Sequence, residues 1–262
     1  MPDTAIIWFR QDLRLADNPA LLAACEHQRV LPLYIHDDRN DSRWALGGAQ
    51  KVWLHFSLMA LDKALRDKGS RLLVRTGPHA ETLQAVMDET GADAVYWNRQ
   101  YEPESIDRDR QIKADLDDAG LTVKSFNGAL LHEPWQVENK SGDPYKVFTP
   151  FWKAASRLPV SAPLAAPDAL PAVASQYGSA DVDELALLPD IPWDSGIREW
   201  WQPGEDGAHE ALEAFIGEPI SDYKSDRDKP ARPGTSRLSP HLHFGEIGPR
   251  QVWHRVHEYT SR

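Results

Sequence analysis

Short apolar runs alternate with longer amphipathic stretches over the first 130 residues. The apolar runs are rich in β-branched and aromatic residues and predict five strands, at Ala5 to Phe9, Val30 to Ile35, Arg71 to Arg75, Ala94 to Trp97 and Thr122 to Phe126. The amphipathic stretches predict four helices, at Asn18 to Glu26, Gly48 to Lys68, His79 to Thr90 and Pro103 to Ala119. Because strands and helices alternate strictly, the pattern predicts a doubly wound parallel sheet with helices on both faces.

Parallel sheets of this kind bind ligands beyond the carboxyl ends of their strands. In this chain that edge would gather four segments, Arg10 to Arg14, His36 to Arg39, Thr76 to Gly77 and Asn98 to Glu102. The chain has no GxGxxG after the first predicted strand and no GxxxxGK[ST], so the glycine signatures of dinucleotide and nucleoside triphosphate sites are missing. The crevice is therefore predicted from topology alone.

The pattern changes after residue 130. The stretch 158–174 holds four prolines among many alanines, which excludes a regular helix or a central strand and predicts a semi-stiff linker. Helical spacing returns near Trp200, and Val252, Trp253 and Val256 form an apolar helix face that needs a partner surface. We predict three parts, an α/β domain at 1–130, a linker at 131–199 and the beginning of a helical domain at 200–262.

Composition narrows the class of protein. The chain of 262 residues is 41% hydrophobic and 26% charged, with no apolar span approaching the roughly 20 residues of a membrane helix. The first residues do not follow a secretory pattern, and Cys25 is the only cysteine, which excludes an internal disulfide and a cysteine zinc site. We expect a cytoplasmic monomer without an obligate protein partner.

Charge is distributed unevenly along the chain. The net charge of -11 argues against a protein that binds nucleic acid over its whole surface. The segment from Tyr223 to Arg255, however, contains seven Lys and Arg residues and three acidic residues, which gives it a charge of +4 (7 minus 3). A local basic face and an ordinary solvated face both explain this cluster.

A loop dense in hydroxyls begins at Gly234. Thr235, Ser236 and Ser239 offer hydroxyls and Arg237 offers a cation, a set suited to phosphate. Ser239 is predicted to cap a helix whose first residue is Pro240, so that free backbone N–H groups would point at the loop. An ordinary capped helix explains the same residues.

Three separated segments resemble one family. GTSRLSPHLHFGEI with the upstream DYKSDRDKP, the N-terminal WFRQDLRLADNPAL and the central YKVFTPFW resemble DNA photolyases and cryptochromes, in the expected order. The resemblance covers nearly the whole chain but only about the first half of a typical member. It implies a Rossmann-like antenna domain of five parallel strands, a linker and the start of an all-α FAD-binding domain.

The resemblance also implies site residues. In the family, the positions matched by Thr235, Ser236, Arg237, Leu238 and Ser239 hold the pyrophosphate of FAD, and the position of Tyr223 lies against the flavin. The position of Arg227 contacts DNA phosphate. The residues alone favour a packed aromatic at Tyr223, and Arg227 could equally pair with Asp226 or Asp228.

No metal site and no catalytic side chain is predicted. His241 and His243 lie two residues apart on a presumed helix and make a poor metal pair. The family's folate or deazaflavin antenna pigment receives no residue here, because Glu104 and Ser105 stand where folate-binding photolyases have an Asn-Glu pair.

The resemblance implies an activity. Light excites reduced FAD, an electron passes to a cyclobutane pyrimidine dimer flipped out of DNA, the ring splits and the electron returns. The alternatives are a cryptochrome photoreceptor without repair activity and, less consistent with TSRLS, an α/β nucleotide-binding protein without flavin. Since later flavin contacts of the family would lie beyond Arg262, we expect the 262-residue chain alone to be inactive.

Overall fold

Five parallel strands form the central sheet of the computed structural model, which describes residues 3–37, 45–171 and 177–260. They are β1 (Thr4–Phe9), β2 (Arg29–His36), β3 (Leu73–Thr76), β4 (Ala94–Asn98) and β5 (Thr122–Phe126). Their spatial order is β3-β2-β1-β4-β5, and every pairing is parallel. The predicted parallel sheet is confirmed.

Four helices connect the strands. They are α1 (Pro19–Ala24), α2 (Gly48–Asp67), α3 (His79–Thr90) and α4 (Pro103–Asp118). Asn18, predicted as the first residue of α1, is instead its cap, because its side chain accepts a hydrogen bond from the Leu21 amide. β3 begins two residues later than predicted, since the Leu72 amide is bonded to Asp62 Oδ1 and not to a strand.

Alternate residues of the central strands enter two separate cores. Ile7 and Phe9 of β1 pack with α1 and α2, whereas Ile6 and Trp8 pack with α3 and α4. All four side chains are fully buried. Burial on both faces explains why β1 reads as a continuous apolar run and not as an alternating one.

The segment after the sheet lies against it. It holds α5 (Phe148–Ala155), a 3₁₀ turn at Val182–Leu185 and α6 (Ser195–Trp200), and it has no helix or strand between residues 158 and 171. Ser179 Oγ accepts from the Val74 amide at 2.9 Å, and the Ala180 amide donates to the Val74 carbonyl at 3.1 Å. These bonds cover the open edge of β3, which would otherwise expose unpaired backbone groups. Residues 172–176 of the predicted linker lie outside the described residues.

The last part is helical. It contains α7 (Glu205–Gly217), α8 (Tyr223–Asp226), α9 (Ser239–His243) and α10 (Pro249–Thr260). A small third core lies between α7, α10 and the segments that flank α9, formed by Ala208, Leu212, Ile216, Leu238 and Ile247. No helix in the described ranges has the length and apolar character to cross a membrane. The boundaries at residues 130 and 200 stay predictions.

The turn after α9 docks directly on the loop that follows β1. The Leu13 amide donates to the Phe244 carbonyl at 3.1 Å, and Arg14 donates to the Gly245 carbonyl at 2.9 Å. Gly245 has a φ of 66°, and a Cβ there would lie 2.1 Å from the Gln11 carbonyl oxygen. Only glycine permits this approach, which places the helical part beside α2.

Candidate functional site

A cavity of about 990 Å³ lies where the helical part meets the end of α6. One wall is formed by the hydroxyl loop through Thr235, Ser236 and Arg237. The remaining wall is largely apolar and aromatic and includes Phe56, Trp200, Trp201, Ala211, Ala214 and Phe215. The cavity therefore combines a polar end that carries Arg237 with apolar and aromatic surfaces, and Arg198, Glu199 and Glu210 also line it.

Asp226 organises the chain that leads into the hydroxyl loop. Its carboxylate accepts from Lys229 Nζ at 2.8 Å and from Arg232 at 3.2 Å. The Lys229 hydrogen bond, followed by those from Arg232 and Ser225, lowers the pKa of Asp226 to about 2. A Cβ at Gly234 would lie 2.7 Å from Asp226 backbone and side-chain atoms, so the two segments are in close contact. Lys229 and Arg232 thus form ion pairs with Asp226 that stabilise the loop.

Arg237 is presented to the cavity by an uncommon backbone conformation. Its φ is 53°, in the left-handed region that non-glycine residues seldom adopt. The side chain is exposed, lines the cavity and has no ion pair within the described part of the chain. A strained residue that carries an uncompensated cation at a cavity wall is a candidate for binding an anion.

The rest of the loop differs from the predicted cap. α9 begins at Ser239 with Leu238 as its cap residue, one position earlier than predicted, and no side-chain cap bond is present. The Leu238 side chain is buried, and its amide lies 3.4 Å from Ser236 Oγ. Ser239 is exposed and is not part of the cavity wall. Because α9 has only five residues, the positive charge of this wall comes from Arg237 and not from a helix dipole.

Tyr223 and Arg227 lie next to the cavity on α8 and just after it. The Tyr223 ring packs edge-to-face on Phe215 at 5.7 Å, and the Arg227 guanidinium lies 5.9 Å from the Tyr223 ring centre. Arg227 Nε is 3.7 Å from Asp228 Oδ2, a loose surface pair that leaves the side chain 54% exposed. Tyr223 therefore touches the cavity lining, while Arg227 points to solvent.

A buried junction behind the cavity was not predicted from the sequence. The Glu246 carboxylate is fully buried and accepts from Trp53 Nε1 at 3.0 Å, from the Gly204 amide at 2.7 Å and from Ser57. Its other oxygen lies 2.5 Å from His241 Nδ1. Glu246 thus joins α2 of the sheet domain to the helical part. The only sequence signal is its place in the HFGE segment.

The crevice predicted at the carboxyl ends of the strands is filled by protein where it is described. Arg10 is buried and forms two hydrogen bonds to Asp109, at 2.8 and 2.7 Å, and Asn98 donates to Asp12 Oδ2 at 2.6 Å. Burial lowers the pKa of Arg10, an effect that Asp109 opposes. The residues 38–39 of this prediction lie outside the described residues. Thr76 and Gly77 do line a second cavity, of about 490 Å³, beside α3.

The two histidines of α9 have separate environments. His241 is buried against Glu246, whereas His243 is exposed and its Nε2 lies 3.2 Å from Gln50 Nε2. They therefore do not face a common ligand position. Elsewhere Asp3, His27 and Asp93 are close enough to share an ion, but the His27 ring nitrogens are bonded to Asp3 and to the Tyr96 hydroxyl.

Comparison with known proteins gives the family. The family model for DNA photolyase matches residues 5–177. The chain belongs to the DNA photolyase family. A deoxyribodipyrimidine photo-lyase of Agrobacterium fabrum is 48% identical over 253 residues, which are 95% of this chain and 52% of that protein. Cryptochrome-1 of Arabidopsis thaliana is 35% identical over 96% of this chain and 37% of its own length.

A solved structure extends the photolyase likeness to the whole described fold. The crystal structure of a bacterial class III photolyase from Agrobacterium tumefaciens has a TM-score of 0.94 and 44% identity, over 100% of this chain and 54% of that one. The present chain thus spans about half the length of these photolyases. The likeness includes the sheet, the covering segment and the first helices of the helical part.

Proposed function

We propose that the cavity beside the hydroxyl loop binds FAD and that the protein repairs pyrimidine dimers in DNA with light. The observation that carries this proposal is Arg237, an exposed cation without an ion pair among the described residues, at the wall of a large cavity in a DNA photolyase family member. Arg237 would also suit the phosphates of another nucleotide, and the family match favours FAD over that alternative.

The cavity suits FAD in size and chemistry. Its volume of about 990 Å³ is at the upper end of the range for small-molecule sites, roughly 300–1,000 Å³. Thr235, Ser236 and Arg237 supply donors for a pyrophosphate, and the aromatic wall with Phe215 and Trp201 supplies surface for flat rings. The residues present therefore fit the cofactor.

Each candidate residue has a proposed role. Thr235, Ser236 and Arg237 bind the pyrophosphate, Leu238 and Ser239 shape the loop end, and Tyr223 supports the flavin side through Phe215. Reduced FAD, when bound, supplies the light-excited electron that splits the dimer. Arg227 contacts a DNA phosphate close to the lesion, since its guanidinium is half exposed and only loosely paired. Photolyases are among the enzymes known to flip their target base out of the duplex.

Partners and location complete the proposal. Damaged DNA is the proposed macromolecular partner, and the protein is proposed to act as a cytoplasmic monomer. An antenna pigment, a folate or a deazaflavin, is compatible with the family, but none of the described residues is assigned to it. No side chain is assigned a catalytic role in this part of the chain.

A cryptochrome function is the second candidate. The match to Arabidopsis cryptochrome-1 supports it, because that protein is 35% identical over nearly the whole of this chain. The higher identity to a photolyase, 48%, favours repair. The two candidates share the flavin site and differ in whether damaged DNA is restored.

The decisive assay is dimer loss under blue light. Protein expressed from its full reading frame, incubated with DNA that contains thymine dimers, is expected to restore the DNA in light and not in darkness. The matched control is the same protein after removal of the flavin. Flavin-loaded protein that restores no pyrimidine lesion in light would reject repair in favour of the cryptochrome function.

A second expectation concerns residues 1–262 as an isolated polypeptide. We expect it to retain less than one FAD per chain and to show no repair. The reason is that Thr235 and Arg237 are exposed to solvent and Tyr223 is 41% exposed. Small-molecule sites usually bury about 70–90% of their ligand or more. The measurement is flavin absorbance after FAD addition and gel filtration. One flavin per chain would show that these residues suffice.

A further inference from the structure

His241 is a buried imidazole in the wall of the proposed flavin cavity. Its ring lies edge-on to the Trp53 indole, with a centre separation of 5.1 Å, and is tilted against the Trp201 indole at 6.3 Å. Trp201 is itself part of the cavity wall. The protein therefore fixes the position of the imidazole without help from a ligand.

Glu246 determines which ring nitrogen carries a proton. Its Oε1 accepts from the Trp53 indole, the Gly204 amide and the Ser57 hydroxyl, and these three donors suit a carboxylate. Its Oε2, 2.5 Å from His241 Nδ1, then accepts the Nδ1–H. Among the described residues, no lysine or arginine pairs with Glu246. This carboxylate is thus committed to orienting the imidazole.

The other nitrogen, Nε2, is left for a ligand. No hydrogen bond from a described residue reaches Nε2, and Nε2 is not one of the fully buried polar atoms without a hydrogen-bond partner. Although the residue as a whole is only 1% exposed, it borders the cavity. With Nδ1 bonded to Glu246, Nε2 is the ring nitrogen that can hydrogen-bond to a ligand.

We propose that His241 contacts the bound flavin nucleotide through Nε2 and that Glu246 is the positioning residue for this contact. The inference rests on the proposed function, because it needs a flavin nucleotide in the cavity. A ring nitrogen at this wall can hydrogen-bond to polar groups of the ligand, such as the flavin imide, the ribityl hydroxyls and the adenine amino group. This assigns the cavity a second polar contact, distinct from the phosphate-binding loop.

The first test compares two histidines of the same helix. His241→Phe keeps the ring volume and removes both nitrogens, whereas His243→Phe alters an exposed ring that lies outside the cavity wall. In protein from the full reading frame, we expect His241→Phe to weaken FAD binding about three- to tenfold, the effect of one hydrogen bond. His243→Phe should leave the dissociation constant unchanged. Folded His241→Phe protein with wild-type affinity would overturn the proposal.

A second variant tests the role of Glu246. Glu246→Gln preserves the shape and an oxygen for three donors, but its amide can present an N–H to Nδ1, which moves the imidazole proton to Nε2. FAD affinity should then fall although the ring remains. Unchanged affinity in this variant would overturn the positioning role.

A spectroscopic measurement needs no variant. In wild-type protein labelled with ¹⁵N histidine, saturation with FAD should shift the His241 Nε2 resonance and leave that of His243 in place. If FAD binds and the resonance does not move, this inference alone is wrong. If the wild-type protein binds no FAD, the proposed function fails first.

Discussion

Replacing Arg14 with alanine is expected to lower the free energy of unfolding by about 3–5 kcal/mol. The Arg14 side chain is buried and donates to four carbonyl oxygens, those of Ala16, Asp17, Gly128 and Gly245, at 2.7–3.0 Å. Its removal leaves these acceptors unpaired in the interior and takes away the cation that faces Asp12 and Glu205. The measurement is a urea unfolding curve.

A surface arginine provides the matched control. Arg66 is 61% exposed and pairs with Asp62 one helical turn away at 2.7 Å. Arg66→Ala should change the free energy of unfolding by less than about 1 kcal/mol, because exposed ion pairs contribute little. Equal losses in the two variants would show that Arg14 does not hold the loops and the helical part together.

Arg237→Ala is expected to weaken FAD binding roughly ten- to hundredfold, while Arg227→Ala leaves it unchanged. The first substitution removes a charge-assisted contact to phosphate, worth about 1.5–3 kcal/mol. The second removes a cation that points to solvent and does not line the cavity. Flavin content after gel filtration measures this difference.

The same two variants should show the opposite pattern in DNA binding. Arg227→Ala should weaken binding of dimer-containing DNA and lower the salt slope by about one, the value for a single phosphate contact. Arg237→Ala, reloaded with excess FAD, should bind DNA with an unchanged slope. If both variants lose flavin equally, the assignment of Arg227 to DNA is wrong.

The alternating pattern was sufficient to predict the sheet domain. Each predicted strand and helix of the first 130 residues is present, because a strand buried on both faces gives a short continuous apolar run and an amphipathic helix gives a 3.6-residue period. The pattern does not encode the spatial order β3-β2-β1-β4-β5, which depends on long-range pairing. The pattern also did not predict that residues 177–180 cover the edge of β3, because this contact is made by a single hydroxyl and isolated backbone groups.

The candidate site was predictable only in its loop. Hydroxyls and Arg237 stand together in the sequence, so their shared chemistry is visible there. Glu246 and its partner Trp53 are 193 positions apart, and an isolated glutamate in a sequence suggests a solvated surface. The left-handed φ of Arg237 and the early start of α9 depend on how Leu238 is drawn into the third core. Tertiary packing, and not local preference, fixes these features.

The pyrophosphate contact is the centre of this account, and a comparison of FAD with riboflavin tests it directly. Flavin-free protein from the full reading frame is titrated with each ligand, for the wild type and for Arg237→Ala. The account predicts that the wild type prefers FAD by at least about tenfold, because only FAD brings a phosphate group to Arg237, and that the preference shrinks in Arg237→Ala. Equal affinity for the two ligands in the wild type, or an undiminished preference in the variant, would contradict it.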